Sequence, residues 1–155
     1  MRHPSLHEFI SDEQEANLRK LAAYLLTLPA DYPDFEMSDF TADKSTPATV
    51  SCGTAACAVG HGPFAGVAPL GTETDWSAYS YRAFISRSTA QSWQVRVPAG
   101  NAWDWCFGGY WGETDNTVHG AAKRILWMLD RGVPDDCSQQ EMGDADLCYT
   151  DMVLA

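Results

Sequence analysis

The sequence predicts an α+β protein: a mainly helical, compact single domain with a small β element. Two segments, residues 11–31 and 114–134, repeat apolar side chains at helical spacing between recognisable start and stop signals. Only one stretch, WQVRVP at 93–98, alternates apolar and polar residues as a strand does. With 155 residues and 45% hydrophobic content, the chain has the length and apolar share for one core. The globular domain is expected over residues 1–134, and residues 135–155 are expected to be an acidic C-terminal tail.

In the first helical segment Ser11 is a natural cap, Asp12 and Glu13 suit the positive first turn, and Pro29 stops the helix. Leu18, Leu21, Ala22, Leu25 and Leu28 fall on one face and are assigned to the core. Residues 30–50 mix Pro, Asp, Ser and Thr and read as a surface connection, anchored by Phe35, Met37 and Phe40. The small residues of AACAVGHG permit close backbone approach, and the Gly62-Pro63 pair is expected to end that segment. Residues 74–88, TDWSAYSYRAFISRS, suit a second amphipathic helix with Trp76, Tyr79 and Ala83 on one face, although their aromatic content leaves a strand open. WQVRVP is read as the short strand, ending at Pro98.

Asn101 is a possible cap for the aromatic segment NAWDWCFGGYWG. In the last helix Asn116 or Thr117 is the cap, Val118, Ala121, Ala122, Ile125, Leu126 and Leu129 form the stripe, and Gly132 is the stop. The tail DDCSQQEMGDADLCYTDMVLA carries six acidic residues and no lysine or arginine.

Charge narrows the functional classes. Ten basic residues against 21 acidic ones give a net charge of −11, which repels phosphate backbones and anionic membrane surfaces. Direct nucleic-acid binding and membrane association are not expected; the charge suits a partner with a basic surface, although a merely solvated acidic surface is its commoner meaning. No run of apolar residues is long enough for a membrane span, and MRHPSLHEFISDEQEA carries no signal-peptide pattern, so the cytoplasm is the expected location. Five cysteines, an odd number, in a chain large enough to have a core point to reduced thiols.

The stretch CGTAACAVGHGP, residues 52–63, admits three readings. As a zinc site, Cys52, Cys57 and His61 are three soft ligands, with Cys106 or His119 completing the set. As a thiol nucleophile, Cys52 or Cys57 attacks, His61 or His119 is the base, and Asn116 or Asp115 orients it. As a packing device, Gly53 makes a turn, Thr54 caps, the small residues let the segment pass close to its neighbours, and His61 bonds a nearby carbonyl. The third reading is preferred, with no cofactor and no enzyme activity expected; zinc is the alternative.

Ten aromatic residues lie between Trp76 and Trp111. They suit a dense core or a stacking platform in which Trp103, Trp105 and Trp111 hold a nucleotide-like ligand while Arg82, Arg87 or Arg96 meets its phosphates.

Four pieces in order, an N-terminal helix, FEMSDF, CGTAACAVGHGPFAGV, and WDWCFGGYW followed by DNTVHGAAKRILWMLDRGVP, resemble a group of small hypothetical proteins of bacteriophages and bacteria. The group's marks are a CGTxAC segment running into Gly-His or Gly-Trp and an aromatic-Phe-Gly element before a DNTxxGAAxRI helix. The resemblance covers residues from about 11 to 134. It implies a phage or mobile-element setting and no catalytic assignment. In that setting the expected function is an accessory protein that binds a host protein, inhibiting a defence or nucleic-acid-processing system; a nucleotide-sequestering pocket and a thiol or zinc chemistry are the alternatives.

Overall fold

The computed structural model describes residues 1–8, 10–37, 40–41, 45–50, 55–86, 98–108, 111 and 116–132. Four α-helices appear among them: α1 (Asp12–Thr27), α2 (Trp76–Ala83), α3 (Pro98–Phe107) and α4 (Val118–Arg131), with short 3-10 turns at Pro4–Leu6, Val59–His61 and Pro63–Ala65. The protein is mainly helical and compact, and no strand is present among the described residues. Extended pairing is limited to isolated bridges from Ala56 to Phe35 and to Thr41. Residues 93–97 of the expected strand, and 133–155 including the expected tail, lie outside the described residues.

Helix α1 starts where its local chemistry dictates. The Ser11 side chain accepts from the Gln14 N–H, and the Gln14 side chain returns the bond to the Ser11 N–H, closing a capping box. At the other end Pro29 crowds the residue before it, so Leu28 is extended (φ −82°, ψ 153°) and the helix stops. Leu18, Leu21, Ala22 and Leu25 are fully buried and Leu28 is half-buried. Each buried leucine removes enough apolar surface to contribute roughly 2 kcal/mol.

Asp75 caps α2 by accepting from the Ala78 N–H, and Trp76, Tyr79, Ser80 and Ala83 face inward, which resolves the helix-or-strand ambiguity in favour of helix. Helix α3 begins at Pro98, whose fixed φ suits a first helical position. Asn101 therefore lies inside this helix and is not its cap. Thr117 caps α4 by accepting from the Gly120 N–H, and Gly132 ends it at φ 90°, a conformation that favours glycine.

Helices α1 and α4 form the largest interface between elements, with α3 against α4 next and α2 against α1. At one end of α1 the His119 ring, in the first turn of α4, bonds the Leu28 carbonyl at 2.8 Å. At the other end Arg2 reaches Asp12 and Glu15, while the adjacent His3 N–H donates to the Leu129 carbonyl at 2.7 Å. The two helices consequently run antiparallel.

Glu15 collects Arg2 at 3.1 Å and Arg19 at 2.9 Å. Burial alone would raise its pKa; the hydrogen bonds from Arg19 and Arg2 outweigh this and hold it at about 2, below its ordinary 4.5. A carboxyl depressed on folding adds stability that is complete above pH 4.5 and lost as pH falls from 4.5 toward 2. Chemical denaturation across that window is expected to show a shallower loss for Glu15→Gln than for the parent, and at pH 7 the variant is expected to be less stable by about 1 kcal/mol. Leu21→Ala is expected to cost about 3 kcal/mol in the same measurement, because the α1–α4 seam leaves a cavity.

Candidate functional site

Of the residues singled out by type, Cys57 and His61 fall in the segment 55–67, a folded loop with two 3-10 turns. Ala56 pairs with the 34–41 connection: its N–H donates to the Asp34 carbonyl and its carbonyl accepts from the Glu36 N–H, both at 3.0 Å. The Cys57 N–H donates to Phe40. Two 3-10 turns then follow back to back. Gly62, expected to end the segment, has helical dihedrals (φ −53°, ψ −49°) and joins the turns. The clash that keeps a residue before proline out of the helical region involves its Cβ, which glycine lacks.

The small residues meet close neighbours. A Cβ on Gly60 would collide with the Phe40 carbonyl and the Ala56 side chain, and one on Gly62 with the Tyr79 hydroxyl. Tyr79 is fully buried and donates its hydroxyl to the Val67 carbonyl. Burial pushes its phenol well above the ordinary value, so it stays protonated.

His61 sits at the centre of this loop, 2% exposed. Its Nδ1 lies 2.9 Å from the Cys57 carbonyl oxygen, a contact in which Nδ1–H donates and Nε2 carries the lone pair of the neutral ring. Four rings surround it, Tyr24, Tyr32, Phe35 and Phe64, with centroids 5.6 to 6.4 Å away. Burial lowers its pKa, partly opposed by the Cys57 carbonyl and the Asp34 charge. The imidazole is thus a neutral aromatic wedge at neutral pH.

The other candidates separate. Cys57 is 2% exposed. Cys106 is fully buried with its Sγ 3.6 Å from the Met128 Sδ, and burial pushes its thiol pKa far up, away from the thiolate a nucleophile or metal ligand needs. His119 is engaged at Leu28, as described above. Asn116, weighed as an orienting residue, instead accepts from the Met37 N–H at 2.8 Å and donates to Glu36 at 3.2 Å, pinning the 34–41 connection. Among the described residues no three His, Cys, Asp or Glu side chains gather so as to hold a metal. Cys52 and Asp115 lie outside the described residues.

The tryptophans divide between two sides of α3. Trp105 is buried, donates its Nε1–H to the Arg124 carbonyl at 2.9 Å, and meets Trp111 edge-on at 5.4 Å. The fully buried Arg124 guanidinium lies over the Trp111 ring, 4.3 Å from its centroid. Trp103, two residues from Trp105 and hence on another face, is half-buried among Phe40, Tyr81 and Phe107 and donates to the Ser80 hydroxyl at 3.0 Å. Arg82 belongs to neither group; it pairs with Glu73, bonds the Ala68 carbonyl at 3.0 Å and lies over Tyr79. Arg87 and Arg96 lie outside the described residues. The structure therefore does not bring Trp103, Trp105, Trp111 and Arg82 around one cavity.

Two residues with structural consequence escaped the pattern reading. Gln14 donates to the Tyr81 and Arg82 carbonyls and to Ser86, and the buried Asn17 donates to the Ala83 carbonyl. Both sit beside the apolar stripe of α1, and amides among leucines are the only signal a sequence offers for such a role. Comparison of the chain with protein-family models, curated proteins and solved structures finds no match in any of the three.

Gly62→Ala is expected to destabilise the fold by about 2 kcal/mol in urea denaturation, since Tyr79 has to move. In thiol counting on the native protein, Cys57 and Cys106 are expected to stay unreactive until denaturant is added. A histidine pKa lowered on folding makes the unfolded chain bind protons first, so stability falls as pH drops below 6.5. His61→Gln is expected to flatten the stability curve below pH 6.5.

Proposed function

We propose that this chain is a small, acidic, non-enzymatic accessory protein that binds a protein partner bearing a basic surface. The observation that carries the reading is the excess of acidic over basic residues, in the whole chain and on its exposed surface. Seven lysines and arginines fall among the described residues; of these Arg2, Arg19 and Arg82 pair with carboxylates and Arg124 is buried against Trp111. Lys20, Lys123 and Arg131 are exposed, Arg131 3.9 Å from Asp130, together with the acids Glu8, Asp12, Glu13, Asp31, Asp75 and Asp130, of which Asp12 pairs with Arg2. Six more acids, with no lysine or arginine, belong to residues 135–155. The exposed residues are thus net negative, in keeping with the −11 of the whole chain, which suits steering toward a basic partner and repels nucleic acid itself.

The resemblance to phage proteins supplies the setting, a host cytoplasm. There the partner class that fits the charge is a nucleic-acid-processing or defence protein, whose basic groove an acidic protein can occupy. No helix among the described residues is long and apolar enough to cross a membrane. The engagement of His61, His119 and Cys106 in internal contacts supports a binding role over a thiol or zinc chemistry.

Affinity capture from a bacterial lysate with the full chain is the test, followed by binding of the purified candidate across a salt series. The expected partner is net basic, is retained at low salt, loses affinity steeply as ionic strength rises past about 0.15 M, and is displaced from its own nucleic acid by the protein. No retained protein at low salt, or a partner whose binding ignores salt, would overturn the reading.

A further inference from the structure

Residues 62–71, GPFAGVAPLG, carry no charged or polar side chain in a chain of net charge −11. A stretch of that composition belongs in a core. Here it runs over the surface toward α2: Val67 is its buried anchor, Pro63, Phe64 and Pro69 are half-buried, and Ala68 and Leu70 are exposed. Leu70 shows 64% of its surface. Phe64 lies edge-on to the buried His61, 6.2 Å between ring centroids. A Cβ on Gly66 or Gly71 would meet no atom of the described residues within 4 Å, so the backbone stands clear at both turns.

Connecting loops are commonly polar and loosely held, whereas this one is braced from within. Val67 accepts the Tyr79 hydroxyl on its carbonyl and gives its N–H to the Gly62 carbonyl at 3.1 Å. Arg82 donates to the Ala68 carbonyl at 3.0 Å, and Glu73, paired with Arg82, accepts the Leu70 N–H at 3.0 Å. An ion pair and a buried phenol thus hold the backbone in one shape while Ala68 and Leu70 stay in water. Apolar surface left in water stabilises nothing within the fold; it stabilises a complex when another surface covers it. A braced loop also has little conformational entropy left to lose on docking.

Charge selects what covers it. A second copy of the chain brings another −11, and an anionic membrane surface repels the chain likewise. Beside the loop, Asp75 is exposed at the start of α2, and Asp34 lies close enough to His61 for its charge to act on the ring. We propose that the loop 62–71 is the docking element for a protein partner, with Phe64 and Leu70 entering an apolar pocket whose rim carries lysine or arginine. The proposal rests on the protein-binding reading above and names the surface that does the binding.

The test places a photo-cross-linking benzoylphenylalanine at Leu70 of the full chain and, as a control, at Ala16, which is exposed on α1. Each protein is irradiated in a bacterial lysate at low salt. Position 70 is expected to cross-link the net basic protein that the parent retains, and position 16 is not. That protein, once purified, is titrated with the parent, Leu70→Ser and Leu26→Ser, the last changing a leucine 43% exposed on α1. Leu70→Ser is expected to bind about tenfold more weakly at every salt concentration, with an unchanged urea midpoint, and Leu26→Ser to bind as the parent does. A parent that retains no protein overturns the partner reading and this proposal together. Retention without a cross-link at position 70, or with equal affinity in Leu70→Ser, overturns the docking loop alone. The loop proposal also falls if Leu70→Ser dissociates a dimer seen in sedimentation, or abolishes binding to neutral phosphatidylcholine vesicles.

Discussion

The last carbonyls of a helix have no partner within it, and in this protein the helices close each other's ends. Helix α1 ends at Leu28, whose carbonyl takes the His119 ring from the first turn of α4. Helix α4 ends near Leu129, whose carbonyl takes the His3 N–H from the N-terminal segment. The C-terminal carbonyls of α2, on Tyr81, Arg82 and Ala83, take the amides of Gln14 and Asn17 from α1. These reciprocal closures pin the ends of the helices to their neighbours while the leucine stripe fills the space between α1 and α4. The N-terminal segment is accordingly part of the core: a Cβ on Gly132 would stand 2.7 Å from the Ser5 hydroxyl and 2.9 Å from the His3 ring.

The same economy explains why residue types that suggest chemistry serve as framework here. His61, Cys57, Cys106 and Asn116 each satisfy backbone groups or fill volume in a chain whose helices are short and whose connections are long. A loop as long as that between α1 and α2 carries many backbone polar groups, and a buried one must pair them. Ala56 pairs with both Asp34 and Glu36, Asn116 receives Met37, and His61 closes back onto Cys57. The segment 55–67 is held from all sides, and Gly60 and Gly62 are the places where no side chain fits.

Removing arginines from the surface is the counterpart of that inward economy. Arg124 over Trp111 and Arg2 between Asp12 and Glu15 act within the fold, one by stacking, the other by tying the N-terminus to α1. Each paired arginine takes a carboxylate with it, so the solvent-facing residues keep the negative balance of the chain.

Much of the helical framework was legible in the residues themselves. Ser11, Pro29, Thr117 and Gly132 mark helix ends by local chemistry that acts within a few residues, and the stripe from Leu18 to Leu25 marks a core face by periodicity alone. Where the sequence reading differed, longer-range forces had decided. Cys57 and His61 share a folded loop because Ala56 is recruited by the 34–41 connection. The sequence by itself determined the first and last helices, their caps and the negative charge, since these depend on neighbours along the chain and on composition. Only the tertiary structure decided that Trp103 and Trp105 part company, that Gln14 and Asn17 close α2, and that Tyr79 and Arg82 brace the apolar loop, because each depends on contacts between residues far apart in sequence, which no local pattern encodes.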